Sequence, residues 1–128
     1  MDKTFGVMKD LKVGKYVLID DVPCKVVNIE SSAPGKHGAA KMRVTGIGIF
    51  RGQKKTLLKP GDADCEIPVI DRKVGQLVSI TGKMAQVMDL ETFETFEMEI
   101  PEDLEGAEPG KEVEYMVAMG QKKLLRVR

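Results

Sequence analysis

The chain has 128 residues, 42% of them apolar and 31% charged, with 20 basic side chains, 20 acidic ones and a single histidine, so its formal net charge is zero. Those proportions fit one ordinary globular domain or two very small ones, and they exclude disordered, collagen-like and mucin-like chains. No apolar run approaches the ~18 residues of a membrane span, and the charged start Met1-Asp2-Lys3 lacks the apolar core of an export signal. A cytoplasmic protein without a membrane partner is therefore expected.

Short alternating runs predict strands through most of the chain, and helical spacing of apolar residues is never sustained for ~11 residues. Strands are predicted over 15–20, 23–30, 41–50, 56–58 and 64–69, which make one small barrel within residues 1–70. The third of these runs changes phase: Met42 and Val44 share one face, whereas Ile47 and Ile49 fall on the other parity. A bulge or sharp bend near Gly46 would reconcile them. Residues 31–40 join two long strands as a protruding hairpin, with a turn at Pro34-Gly35 and two glycines, Gly35 and Gly38, flanking Lys36-His37.

In residues 71–128 strands are predicted over 74–80, 84–90, 96–100, 113–119 and 123–127. Between the third and fourth, Pro101-Glu102-Asp103-Leu104-Glu105-Gly106 has proline first, acids in the first turn and glycine last, which predicts a short helix. Three strands, a helical link and two strands is the order of an OB barrel. Met84, Met88, Met98, Met116 and Met119 are expected to fill its core.

Few chemistries suit the remaining residues. Cys24 and Cys65 form no CxxC pair and His37 has no second histidine to join, so buried reduced thiols are expected and no metal site or cofactor. A catalytic triad would have to use His37, and no nucleophile-elbow motif accompanies it; the chain is not expected to be an enzyme. Glu30 stands where a phosphate-binding P-loop needs glycine, and the glycines at 46, 48 and 52 miss the dinucleotide spacing.

The zero net charge conceals a division. Residues 1–70 carry 12 basic and 8 acidic side chains, and residues 71–128 carry 8 and 12, so the halves are +4 and −4. Between positions 25 and 59 there are 8 bases against one acid, Glu30, and between 89 and 114 there are 11 acids against one base, Lys111. Such asymmetry suits a polyanionic partner for the first half; two merely solvated surfaces are the alternative.

The run Pro34-Gly35-Lys36-His37-Gly38-Ala39-Ala40-Lys41, continuing through Val44-Thr45-Gly46-Ile47-Gly48-Ile49-Phe50, resembles the signature of the translation initiation factor 5A family, the hypusine-containing proteins. Leu11-Lys12-Val13-Gly14 and Gln86-Val87-Met88-Asp89 extend the likeness along the chain. The resemblance implies an all-β protein, an N-terminal SH3-like barrel followed by a five-stranded OB-fold barrel. It also implies that Lys36 is converted by deoxyhypusine synthase to deoxyhypusine or hypusine, with an aminobutyl group from spermidine. Ala39 in place of a second histidine, and the lack of a long charged extension, resemble archaeal members. The likeness covers two barrels, so contacts made by the third domain of the bacterial relative, elongation factor P, are not expected to carry over.

Such a factor would bind the ribosome beside peptidyl-tRNA and ribosomal RNA. Its modified lysine would promote peptide-bond formation at the first bond, at proline-rich stalls and in termination, by orienting the reactants. Lys25, Lys41, Arg43, Lys54 and Lys55 would follow RNA phosphates. His37 has two readings, a contact to RNA or a handle for the modifying enzyme. The rival function is a generic RNA-binding or RNA-chaperone module that does not depend on lysine modification. The second barrel, with Phe93, Phe96 and Tyr115 but an acidic middle, is expected to bind single-stranded RNA weakly.

Overall fold

The computed structural model describes residues 2–32 and 40–128. Contacts divide the chain into two compact units, Met1–Val69 and Ile70–Arg128. Eleven strands and one 3-10 turn make up the regular structure, with no α-helix among the described residues.

The first unit contains β1 (Lys3–Val7), the 3-10 turn Met8–Asp10, β2 (Tyr16–Ile19), β3 (Val22–Ser32), β4 (Lys41–Gly48), β5 (Lys54–Pro60) and β6 (Asp64–Pro68). β2 to β5 form an antiparallel meander in chain order, and β6 pairs with β1. Asp20 and Asp21 join β2 to β3 with φ of +52° and +62°. That is the two-residue hairpin turn whose twist matches its strands, and aspartate is among the few residues that tolerate it. Met8, Val17, Ile19, Cys24, Val26, Val44 and Cys65 are at most 1% exposed and form the core. Both cysteines are unpaired, and burial pushes both thiols up.

The phase change of the third predicted strand is resolved differently from expectation. β4 keeps a single parity, with Met42, Val44, Gly46 and Gly48 buried and Ile47 half-buried on the other face. The irregularity lies in the partner: Val26 opposes Gly46 and Asn28 opposes Thr45, so Val27 is the extra, bulged residue. Gly46 is glycine because a Cβ there would lie 2.7 Å from the Cβ of Cys24.

The second unit contains β7 (Asp71–Thr81), β8 (Met84–Asp89), β9 (Thr95–Glu99), β10 (Glu112–Ala118) and β11 (Gln121–Val127), in the order β11-β10-β7-β8-β9. β9 and β11 come back into contact, and the Lys122 ammonium lies 4.1 Å from the ring centre of Phe96 across that seam. Such a cation–π pair contributes about 0.5–1 kcal/mol at a partly exposed site. Leu77, Ala85, Val87, Val113, Tyr115 and Leu124 form the core.

Inside it lies one buried polar group. Asp89 is 2% exposed; its Oδ1 accepts from the backbone N–H of Glu91 at 2.7 Å and of Thr92 at 2.9 Å, and its Oδ2 accepts from the Tyr115 hydroxyl. These partners, the Tyr115 hydroxyl first, hold the Asp89 carboxyl down at about 2. Burial and then the carboxylate push the Tyr115 phenol up. The short helix expected at 101–106 is a single turn, closed by one bond from the Leu104 N–H to the Pro101 carbonyl at 3.1 Å. Six residues do not repay helix nucleation, Leu104 is held against the core, and Gly106 leaves the helical region at φ +79°. Of the methionines, Met98 is 3% exposed and joins the core, whereas Met84, at the end of a ladder beside Thr81 and Glu99, is 42% exposed.

Candidate nucleic-acid interface

Pro34, Gly35, Lys36, His37 and Gly38 lie outside the described residues. What is described is the pair of strands that leads into that segment and out of it. Ser32 opposes Lys41 at the end of the ladder, and its hydroxyl donates to the Lys41 carbonyl at 3.3 Å.

Directly opposed residues share a face of an antiparallel sheet, so the register builds the outer surface row by row. Nearest the hairpin, Ser32, Lys41 and Pro60 stand side by side; then come Glu30, Arg43 and Leu58, then Asn28, Thr45 and Thr56, then Lys25, Ile47 and Lys54. Four of the five cations proposed from sequence to contact RNA, Lys25, Lys41, Arg43 and Lys54, are thereby exposed on one face. Lys55 stands apart: it opposes Gly46 on the core side of the sheet, and its ammonium lies 3.6 Å from the Asp20 carboxylate. Lys59, on that side also, donates to the Asp64 carbonyl at 3.0 Å.

The Val27 bulge decides which β3 residues join this face. After it, Ile29 and Ser31 oppose the core residues Val44 and Met42, and Asn28, Glu30 and Ser32 turn outward. Lys41, Arg43, Glu30, Ser31, Ser32 and Leu58 line a depression of about 390 Å³ at the base of the hairpin. Sequence reasoning singled out Glu30 as the residue that breaks the P-loop spacing and as the lone acid of a basic stretch, and missed Leu58 because its neighbour across the sheet is fixed by register, not by spacing along the chain.

The second unit is less suited to RNA. The outer surface of β8 and β9, where OB folds commonly bind oligonucleotides, presents Met84 beside Glu99 and Gln86 beside Glu97, with no aromatic platform. Phe96 packs against the core, Tyr115 is buried, and Phe93 projects from the β8–β9 turn at 70% exposure. No group of three metal-binding side chains occurs among the described residues, and no helix there is long and apolar enough to cross a membrane.

Residues 4–63 match the family model described as translation initiation factor 5A-like, N-terminal. Residues 69–128 match one described as eukaryotic elongation factor 5A hypusine, DNA-binding OB fold. The translation initiation factor 5A of Methanocaldococcus jannaschii is 57% identical over 117 residues, 91% of this chain and 89% of the relative. That of Methanothermobacter thermautotrophicus is 50% identical over 129 residues, 100% of this chain and 99% of the relative. The solved eukaryotic translation initiation factor 5A from Methanococcus jannaschii superimposes with a TM-score of 0.93 at 51% identity, over 99% of this chain and 98% of that one. A factor of the same family from Naegleria fowleri superimposes with a TM-score of 0.77 at 29% identity, over 100% and 99% of the two chains. With both units matched by the family's own models and half or more of the residues shared with archaeal members, the chain belongs to the translation initiation factor 5A family, in its archaeal form.

Proposed function

We propose that this translation factor acts on the ribosome beside peptidyl-tRNA, with Lys36, once carrying its spermidine-derived aminobutyl group, extended toward the acceptor end. The observation that carries the reading is the exposure of Lys41 and Arg43 on β4, the strand that follows residues 33–39 in the chain, continued along the same sheet face by Lys25 and Lys54. Phosphate contacts by these cations would fix register without reading sequence. The modified lysine would then supply position, not proton transfer, and its gain in rate would be one of orientation. No residue of the chain acts as a catalytic group in this account, and deoxyhypusine synthase is the modifying partner.

Peptide mass spectrometry of the protein from its native host tests the first half: Lys36 should carry the added aminobutyl mass, and an unmodified Lys36 would count against the proposal. Lys36→Arg tests the second. It keeps the charge and removes the modifiable amine, so stimulation of proline-rich peptide synthesis should be lost with the fold intact. A generic RNA-binding or RNA-chaperone module would need only the basic face, and would keep its activity in the same variant.

A further inference from the structure

Among the described residues Glu30 is the one carboxylate on the face that carries Lys25, Lys41, Arg43 and Lys54, and it makes no ion pair with the cation opposite it. Arg43 opposes Glu30 across the β3–β4 ladder, yet both line the depression and neither belongs to an ion pair with a described residue. The Asn28 amide donates to Glu30 Oε1 at 3.5 Å; Oε2 has no hydrogen-bond partner among the described residues. Beyond Arg43 the Leu58 side chain is 59% exposed. Cation, apolar surface and an acceptor without a partner among the described residues thus line one cavity of about 390 Å³, the scale of a small ligand or a single nucleotide.

An unneutralised carboxylate beside bound phosphates weakens RNA binding unless the RNA offers it a hydrogen-bond donor. We propose that this depression seats one nucleotide of single-stranded RNA, with its phosphate on Lys41 and Arg43, its sugar or base against Leu58, and an exocyclic amino group of the base donating to Glu30. The site therefore selects amino-bearing bases over uracil. Cytosine, adenine and guanine each present an amino donor that a carboxylate accepts well, whereas the one ring N–H of uracil is flanked by two carbonyl oxygens that repel it. Glu30 is a specificity-determining residue; the cations supply affinity. The inference rests on the reading that this sheet face meets RNA.

The test is fluorescence anisotropy on the full chain with labelled oligocytidylate and oligouridylate, two pyrimidine strands of equal charge. Oligocytidylate should bind about five- to tenfold more tightly, as one charge-assisted hydrogen bond at a partly exposed site provides. Glu30→Gln should bring the two within about twofold, because the glutamine amide also donates to a uracil carbonyl. Replacing Lys41 and Arg43 together by alanine should weaken both strands alike. Binding that responds to the Lys41 and Arg43 variant but shows no preference, or a preference that survives Glu30→Gln, overturns the assignment of Glu30 and leaves the RNA face standing. If neither strand binds, or the cation variant changes nothing, the RNA face itself is wrong and this site falls with it.

Discussion

Replacing Tyr115 with phenylalanine removes one oxygen from the middle of the second core and strips the buried Asp89 carboxylate of the hydroxyl that bonds its Oδ2. A carboxyl drawn from 3.8 to about 2 is favoured in its charged folded form by about 2.5 kcal/mol. The Tyr115 hydroxyl is the first of the causes, ahead of the N–H groups of Thr92 and Glu91. The variant should therefore lose about 1.5–2 kcal/mol at neutral pH, within the range for a hydrogen bond to a charged group. The sign of the pH dependence follows from the depressed value. The Asp89 contribution is fully present above the ordinary 3.8 and is lost as pH falls through about 2, so wild type loses stability across that window. In Tyr115→Phe the Asp89 carboxyl returns toward its ordinary value, and the difference between the two proteins shrinks as the medium is acidified. Urea titrations read at second-unit amide signals by NMR measure this without interference from the first unit. A loss below about 0.5 kcal/mol at neutral pH, or a loss that does not change between pH values above and below that window, would refute the reasoning.

Two glycines of β4 make a paired experiment. Gly46→Ala sets a methyl 2.7 Å from the Cβ of Cys24, an atom that cannot rotate away, and should cost about 1–3 kcal/mol in first-unit stability. Gly48→Ala meets the Gln53 side-chain oxygen, the far end of a flexible side chain and a buried acceptor without a partner among the described residues; it should cost clearly less, and equal losses would show that the strand yields as a body. NMR shift mapping of the full chain with a short single-stranded RNA should move signals of Lys25, Arg43 and Lys54 and leave those of Glu97 and Glu99 in place. The opposite pattern would transfer the interface to the second unit.

Alternation made most strands legible, and it failed where the core-facing residues are not apolar. β1 was missed because the side it shares with Ile67 and Cys65 carries an exposed Thr4 and a glycine, Gly6, while Phe5 turns outward at 68% exposure. Gly6 leaves room for Ile67, whose side chain would lie 3.2 Å from a Cβ there. In β4 the same effect misplaced the irregularity, since Gly46 and Gly48 occupy core positions without apolar side chains and so imitate a change of face. The cations of the hairpin arm were visible as a basic stretch, but the separation of Lys55 from its neighbour Lys54 is the two-residue period of β5, which propensity alone does not phase. The Asp89–Tyr115 bond joins residues 26 apart on different strands, β8 and β10, and so leaves no signal in the local spacing.

The bulge at Val27 works as a reading frame for the arm. Upstream of it the outward residues of β3 sit at odd positions, and downstream at even ones; in an unbulged ladder of the same sequence Val27, Ile29 and Ser31 would face outward in place of Asn28, Glu30 and Ser32. Deleting Val27 would close the bulge and leave Asn28 opposite Thr45, with Ile29 still inward and Glu30 outward, whereas pairing Val27 regularly would send Glu30 inward and Ile29 outward. In a lineage of such factors, a one-residue change in length at this point would be absorbed by opening or closing the bulge and would keep the surface downstream, whereas the same change without a bulge would rewrite it along the whole arm.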